Sequence, residues 1–256
     1  EVKFSTAAAA MPVVVLTGCS RGLGLEFIRQ LIERGKDTVV ATCRSPASAS
    51  ALTGLAAEAK NVHVLPLDVG EETSIAQIPA ALEELGVTHI DVLVHNAGIS
   101  APTHPMDPAA TASAAVLRRC FDVNAVGPLL LTQTLLPMLR SSEPASVGSK
   151  VLFVSSVMAS IAKTTAGGSI SYRTSKAALN MVGKCLAGEH GIGTADGLRI
   201  TLCHPGWCDT DMGSAGNRSP PTKPEVSVAG MLQVIDSMGE HSKADFVDFN
   251  GVPLEW

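Results

Sequence analysis

Two side chains have the types and the spacing needed to move a proton: the single tyrosine, Tyr172, and a lysine four residues later, Lys176. On a helix, residues four apart share a face, so the phenol and the ammonium would be neighbours. A phenol with a pKa of about 10 is a poor acid or base at neutral pH, but a nearby cation favours the phenolate. The pair is therefore predicted to have a lowered phenol pKa and to exchange a proton with a carbonyl or alcohol oxygen.

Further polar residues stand where they can assist this pair. Ser156 follows the apolar run Val151–Val154 and is expected to donate to the same substrate oxygen, with Ser155 as a substitute donor. Asn124 lies in a long helical pattern, where its side-chain amide is expected to hold a water that relays protons through Lys176. Each feature alone is common, since many serines only cap helices, but together and in this order they predict an active site.

A glycine-rich sequence, Thr17–Gly24 (TGCSRGLG), follows the first apolar run and precedes a helical pattern. Glycine permits a sharp turn and the close approach of a pyrophosphate, and the helix N-terminus offers free N–H groups to the phosphates. The spacing Gly-x-x-x-Gly-x-Gly departs from the common fingerprint, and a plain glycine-rich turn is the alternative. The predicted dinucleotide contacts in this turn are Gly18, Ser20, Arg21, Gly22, Leu23 and Gly24.

The end of the second apolar run indicates which dinucleotide is bound. Many NAD enzymes carry an acid there for the ribose hydroxyls, whereas this chain has Arg44 and no acid before Glu58. The forked guanidinium of Arg44 suits a 2'-phosphate, and Arg21 adds a second cation on the same side. The prediction is NADP(H), whose oxidised nicotinamide would also favour phenolate at Tyr172; two solvated surface arginines are the alternative.

Two more motifs lie at the ends of apolar runs. Asp68, followed by Val69, is placed to accept a hydrogen bond from the adenine amino group, although an Asp in this position also caps helices. Asn96, Ala97 and Gly98 close the fourth run, at the edge where ligands of open α/β sheets bind. Both motifs extend the predicted cofactor site to neighbouring strands.

Seven apolar, β-branched runs alternate with segments of helical length, which predicts a single α/β domain of Rossmann type with a doubly wound, seven-stranded parallel sheet. Continuous apolar runs are typical of strands that helices cover on both faces. The strands are expected at Pro12–Leu16, Thr38–Thr42, Val62–Leu67, Ile90–Val94, Val151–Val154, Leu198–Cys203 and Phe246–Phe249. The helical candidates include Leu23–Arg34, Ser74–Leu85, Ala109–Leu139 and Ser175–Glu189.

Composition limits the classes of function. The 256 residues are 46% hydrophobic with a net charge of -5, so they can build one large core but offer no basic stripe for a nucleic acid. The most apolar stretch, Val126–Leu139, is shorter than the roughly 20 residues of a membrane span. The six cysteines are irregularly spaced and expected to be reduced, and Cys203, His204 and Cys208 lack a fourth zinc ligand, so no metal is predicted.

Three segments lie outside this pattern. Residues 1–11 are interpreted as an extension to the domain at 12–256, either flexible or left by processing, truncation or expression. Ser141–Ser149 and Met212–Pro224 are rich in Pro, Ser and Gly, and the second is predicted to be mobile and to serve as a substrate lid. Together with Met158 and Trp207 it is expected to wall an apolar pocket, although core positions are the alternative.

These motifs resemble those of the short-chain dehydrogenase/reductase family from Pro12 onward: TGCSRGLG, NAG, the helix of Asn124, SS, YRTSK and HPGWCDTDM. The resemblance implies a catalytic tetrad of Asn124, Ser156, Tyr172 and Lys176. It also implies that the last two contact the cofactor, with the lysine at the nicotinamide ribose. The residues that would hold the nicotinamide half are Pro205, Gly206, Trp207 and Thr210.

More narrowly, the chain resembles the C-factor-like and sniffer-like carbonyl reductases of that family. The features that carry this resemblance are the Gly167-Gly168 insertion before Tyr172, the run SYRTSKAALNM and the ending FVDFNGVPLEW. The insertion separates Ser156 from Tyr172 by more residues than in many members, which is why Ser155 stays open as the donor.

The leading interpretation is an NADPH-dependent carbonyl reductase that acts on a small, apolar carbonyl compound. A non-catalytic NADPH-binding redox sensor or signalling protein on the same scaffold is the alternative, and the intact Tyr172–Lys176 pair weighs against it. An extended epimerase is excluded because too few residues follow the sixth strand for a second domain. The family implies a homodimer. A cytoplasmic protein with no nucleic-acid or membrane partner is expected, with organellar import after removal of an N-terminal peptide as the alternative.

Overall fold

The computed structural model describes residues 11–101, 107–139, 148–239 and 243–256, and its centre is one seven-stranded sheet. The strand order is β3-β2-β1-β4-β5-β6-β7, and every neighbouring pair is parallel. The strands are Val13–Leu16 (β1), Thr38–Cys43 (β2), Val62–Pro66 (β3), Val92–His95 (β4), Lys150–Val154 (β5), Arg199–His204 (β6) and Lys243–Asp248 (β7). The predicted sheet is confirmed, with each strand shifted by at most a few residues.

Helices cover both faces of this sheet. They are Gly22–Arg34 (α1), Ser50–Glu58 (α2), Glu72–Glu84 (α3), Ala114–Phe121 (α4), Gly127–Leu139 (α5), Ile170–His190 (α6) and Pro224–Ser237 (α7). Because side chains alternate along a strand, Val14 and Leu16 of β1 pack in the layer that contains α1, α2 and α7, while Val15 packs in the layer of α3, α5 and α6. Burial on both faces explains why the strands are apolar without a break.

The position of β1 determines where a ligand can bind. This strand pairs with β2 on one side and with β4 on the other, so successive connections run in opposite directions from it. At such a switch point the loops that follow the strands separate and leave a crevice at their carboxyl ends. The glycine turn, which follows β1, and the Asn96–Gly98 motif, which follows β4, therefore meet at this crevice.

The long predicted helix Ala109–Leu139 is wrong as a single element. The structure has a 3₁₀ turn at Ala109–Thr111, then α4, a π-helical turn at Asp122–Val126, and α5. A π-turn inside a helix inserts a residue, and such turns are frequent at functional sites. Asn124 lies in the middle of this turn, so the interruption affects the predicted site directly.

Other differences concern helix bounds. α6 begins at Ile170, five residues before the expected start, so it includes Tyr172. α2 and α7 were not among the predicted helices, and α7 begins at Pro224, the residue at which the predicted mobile segment ends. Residues 1–10 and 140–147 lie outside the described residues, so the expectations for the N-terminal extension and for most of Ser141–Ser149 stay predictions.

Within the ranges that the structure describes, no helix is both long enough and apolar enough to cross a bilayer. The same residues contain no cluster of three or more His, Cys, Asp or Glu side chains that could hold a metal ion. The Cys208 thiol, considered above as a zinc ligand, instead donates to the carbonyl of Pro205 at 3.0 Å.

Candidate active site

A cavity of about 580 Å³ opens at the carboxyl ends of the strands, at the switch point. Its wall includes every residue predicted above for catalysis or cofactor binding except Asn124, which is fully buried behind it. The glycine turn, Arg44 and Asp68 line one part of this cavity, while Ser156, Tyr172 and Lys176 line another. The structure thus brings the two groups of predicted residues into one site.

The glycine turn depends on its glycines. Gly18 has a φ of +73°, and a Cβ there would lie 2.8 Å from the Cα of Ala97. A Cβ on Gly24 would lie 2.1 Å from the carbonyl oxygen of Gly18, which is far inside van der Waals contact. The turn is therefore closed tightly enough that no side chain can occupy these positions, and its backbone is exposed to the cavity as a pyrophosphate cradle requires.

The Asn96–Gly98 motif holds this turn in place. The side-chain amide of Asn96 donates to the carbonyls of Thr17 at 2.9 Å and of Gly18 at 3.2 Å. In return, the hydroxyl of Thr17 accepts from the backbone N–H groups of Asn96 and Ala97, both at 3.0 Å. The contacts of Asn96 are thus with the protein backbone, and they couple the loops that follow β1 and β4.

Arg44 and Arg21 differ in their surroundings. Arg44 is exposed at the end of β2 and forms no ion pair with any residue in the described part of the chain. Arg21 is paired across the cavity with Asp211, with 3.6 Å between guanidinium nitrogen and carboxylate oxygen, and both side chains are more than 70% exposed. Because an exposed pair at this distance is weak, Arg21 can turn toward a phosphate at little cost.

The carboxylate of Asp68, in the loop that follows β3, is held on both sides. One oxygen accepts from the backbone N–H of Gly70 at 2.9 Å, and the other lies 3.7 Å from the guanidinium of Arg119. Arg119 also lies 3.6 Å from Glu71 and lines the cavity. Sequence reasoning missed Arg119, because only the fold brings α4 beside the loop that follows β3.

Tyr172 extends from the first turn of α6 into the cavity and is hydrogen-bonded to the hydroxyl of Ser156. Burial raises the pKa of Tyr172 to about 12, although the hydrogen bond from Ser156 acts in the opposite direction. The phenol pKa was predicted to be lowered, with an oxidised nicotinamide contributing; in the protein alone, burial outweighs the lowering effect of Ser156 and the pKa is raised. At neutral pH the phenol is protonated and is therefore equipped to donate.

Lys176 lies behind the tyrosine and is almost completely buried. Its ammonium donates to the carbonyl of Val154 at 2.7 Å and lies 5.9 Å from the centre of the Tyr172 ring. Burial lowers the pKa of Lys176 to about 8, since the charged form loses its hydration. Gly98 faces this ammonium, and a Cβ at that position would approach it to 3.4 Å.

The side chain of Asn124 forms hydrogen bonds with other residues of the protein. Its amide donates to the carbonyl of Ile99 at 2.8 Å and to the hydroxyl of Ser175 at 2.9 Å, and its oxygen accepts from the N–H of Ile99 at 2.8 Å. These contacts use both donors of the amide, and the relay water expected at Asn124 stays a prediction. The side chain clamps the loop after β4 to α6, one residue before Lys176.

The two serines that follow β5 have different partners. Ser155 donates to the amide oxygen of Asn180 at 2.6 Å, in a buried contact. Ser156 begins a 3₁₀ turn, accepts from the N–H of Met158 at 3.1 Å and reaches Tyr172. The geometry therefore favours Ser156 as the residue that contacts the reacting oxygen, despite the insertion that separates it from Tyr172.

Comparison with known proteins agrees with this arrangement. A family model described as short chain dehydrogenase matches residues 12–220. The chain belongs to the short-chain dehydrogenase family. Its members are oxidoreductases that use nicotinamide cofactors.

One similar protein is a carbonyl reductase from chicken fatty liver, solved with bound NADPH. It is 31% identical to this chain, and the two structures superpose with a TM-score of 0.86 over 96% of this chain and 99% of the chicken protein. The carbonyl reductase Sniffer of D. melanogaster is also 31% identical, with a TM-score of 0.86, over 96% of this chain and 100% of its own. C-signal from Myxococcus xanthus is 38% identical over 65% of this chain and 93% of its own length. The predicted resemblance is confirmed.

Asp107 is another residue that sequence reasoning missed, and it positions helix α6. Asp107 is buried, and its carboxylate accepts from the N–H of Ser171 at 2.9 Å while its backbone carbonyl accepts from Ile170 at 3.0 Å. These contacts satisfy free N–H groups at the helix start and place a negative charge at the positive end of the helix. No local motif marks Asp107, because its partners lie more than 60 residues away.

Proposed function

We propose that this short-chain dehydrogenase is an NADPH-dependent carbonyl reductase. The observation that carries the proposal is that Ser156, Tyr172 and Lys176 line the same cavity as the glycine turn, with the Lys176 ammonium 5.9 Å from the centre of the Tyr172 ring. A proton donor beside a nucleotide cradle is the arrangement that reduction of a carbonyl requires.

The residues that line the cavity are suited to hold a dinucleotide. Gly18 and Gly24 let the turn close on itself, since a Cβ at either position would collide with the protein backbone, and the first turn of α1 presents free N–H groups to a phosphate. Arg44, with no carboxylate partner in the ranges described, supports recognition of a 2'-phosphate. The chicken relative solved with NADPH supports the same choice.

When bound, the reduced nicotinamide supplies a hydride to the carbonyl carbon. Tyr172 gives its phenol proton to the carbonyl oxygen, so that an alcohol is formed, and its pKa of about 12 keeps this proton available at neutral pH. Ser156 donates to the same oxygen and orients it. Lys176 stabilises the phenolate left behind, and Asn124 holds the Ile99 loop and α6 in register.

The substrate is a carbonyl compound with a largely apolar body. Met158, Trp207 and Met212 line the same cavity as Tyr172, and they offer apolar surface with few groups that discriminate among carbonyl compounds. The aldehydes and ketones that fit this wall therefore form the panel for a first test.

The experiment combines binding and turnover. NADPH and NADH are titrated by protein fluorescence, and NADPH consumption is followed with activated 1,2-dicarbonyls, aromatic aldehydes and cyclic ketones. The proposal predicts turnover with at least one class and a preference of about tenfold for NADPH over NADH. Tight NADPH binding without turnover of any class would contradict it and would favour a non-catalytic NADPH-binding protein.

A further inference from the structure

The segment that follows β6 contains a cation that the proposed reaction does not use. Arg218 lines the cavity, and its guanidinium carbon lies 5.6 Å from the centre of the Trp207 ring. Trp207 is itself fixed by a hydrogen bond from its indole N–H to the carbonyl of Gly213 at 3.0 Å. The aromatic ring and the guanidinium thus form one wall of the cavity.

Backbone carbonyls orient the guanidinium of Arg218. Its Nε donates to Ala215 at 2.8 Å, and its Nη2 donates to Met212 at 3.3 Å. An arginine has five N–H donors, so these two contacts position the group while leaving donors for a ligand. A group held in this way loses less conformational entropy when it binds an anion than a free side chain would.

The acidic residues of the same segment have other partners. Asp209 lies 3.1 Å from Lys223 and accepts from the hydroxyl of Ser214 at 2.9 Å. Asp211 faces Arg21, as described above. In the part of the chain that the structure describes, no carboxylate therefore neutralises Arg218, which is half-buried at the cavity.

We propose that Arg218 binds a carboxylate of the substrate, so that the preferred carbonyl compounds have an apolar body and an anionic end. This inference rests on the proposed reductase function. The apolar wall of Met158, Trp207 and Met212 would contact the body, while the guanidinium fork would receive the two carboxylate oxygens. Arg218 is then a specificity residue that the expectation of an apolar pocket with few polar anchors did not include.

The test uses a matched pair of substrates, 4-formylbenzoate and its methyl ester, which share the aldehyde and the ring but differ in charge. The variants are Arg218→Gln and, as a control for net charge, Lys163→Gln, which removes an exposed lysine outside the cavity wall. Because the site is half open to water, we expect Arg218→Gln to lower kcat/KM for the carboxylate about tenfold, mainly through KM. The ester should change less than about twofold, and Lys163→Gln should change neither substrate.

Two further measurements make the outcome decisive. Added salt should weaken use of the carboxylate by the wild type but not by Arg218→Gln, and Arg218→Lys should keep part of the preference because it keeps the charge without the fork. An equal loss with both substrates, accompanied by weaker NADPH binding, would overturn the inference by assigning Arg218 to the cofactor or to the segment's own fold. Reduction of the ester with no effect of Arg218→Gln on the carboxylate would overturn it while leaving the reductase function intact. If the wild type reduced neither of these two aldehydes nor any compound of the carbonyl panel, the proposed reductase function would be refuted, and the inference about Arg218 with it.

Discussion

His95, the last residue of β4, should make the fold sensitive to acid. Its Nε2 lies 2.9 Å from the hydroxyl of Thr132, whose proton is given to the carbonyl of Pro128 at 2.8 Å. The imidazole must therefore carry its proton on Nε2, and Nδ1 is buried with no hydrogen-bond partner among the described residues. Stacking on Phe153, with 4.6 Å between ring centres, holds the ring in this apolar position.

The size of the effect follows from the pKa. Burial lowers the pKa of His95 from 6.5 to about 3, with a smaller contribution from the nearby charge of Lys176. At a pH above 6.5, the pKa of His95 in the unfolded chain, the imidazole is neutral in both the folded and the unfolded state, so its protonation does not reduce the free energy of unfolding. As the pH falls below 6.5 only the unfolded state takes up the proton, and stability is lost by about 1.4 kcal/mol per pH unit until the folded pKa is reached. At about pH 5 the loss from this residue is therefore about 2 kcal/mol.

The assay is urea unfolding of the wild type and of His95→Gln at neutral pH and at about pH 5, with ΔG extrapolated to water. Gln can donate to Thr132 but does not titrate, so the variant should lose about 2 kcal/mol less than the wild type between the two conditions. His204, whose pKa burial lowers to about 4, contributes equally to both proteins and cancels in the difference. The exposed His89→Gln is the control. If the free energy of unfolding fell by the same amount in the wild type and in His95→Gln between neutral pH and about pH 5, the reasoning would be refuted.

Three shorter predictions concern the cofactor site and its support. Arg44→Ala should weaken NADPH binding about tenfold and leave NADH binding unchanged, measured by fluorescence titration; equal losses would show that Arg44 is only a surface charge. Gly24→Ala should weaken both cofactors by more than about tenfold because its methyl meets a carbonyl of the turn, whereas Gly54→Ala, with open space around it, should bind both normally and be slightly more stable. Asn124→Leu should cost about 3 kcal/mol in urea unfolding, since it strands the buried backbone groups that the amide holds, and an unchanged midpoint would contradict the clamp.

The sheet was predictable because each strand has a local signal. Strands buried on both faces must be apolar throughout, and the turns that follow β1 and β4 need small residues at fixed spacing. α7 was missed since its first residue, Pro224, closes a Pro- and Gly-rich stretch that is typical of a loop, although proline is favoured in the first turn of a helix. The π-turn around Asn124 could not be predicted, because a shift of backbone hydrogen bonds by one residue has no signature in residue type.

The candidate site was predictable in its members but not in their contacts. The spacing of Tyr172 and Lys176 places them on one face of a helix. It does not indicate that the ammonium donates to a carbonyl of β5, or that burial is the main influence on the pKa of the phenol. Arg119 and Asp107 were missed for the same reason, because the residues they hold are distant in sequence. Long-range partners follow from the fold, and the motifs determine only which residues reach the cavity.

The most direct test of the account is the effect of Tyr172→Phe on single-turnover NADPH oxidation by a carbonyl substrate that the wild type reduces. Deuterated NADPH first establishes, through a primary isotope effect, that hydride transfer limits the rate. The account predicts a rate lower by on the order of 10² to 10⁴, with NADPH affinity within about twofold of the wild type, because the main role of the phenol is to supply a proton. A variant that keeps more than about a tenth of the wild-type rate would contradict the assignment of Tyr172 as the proton donor.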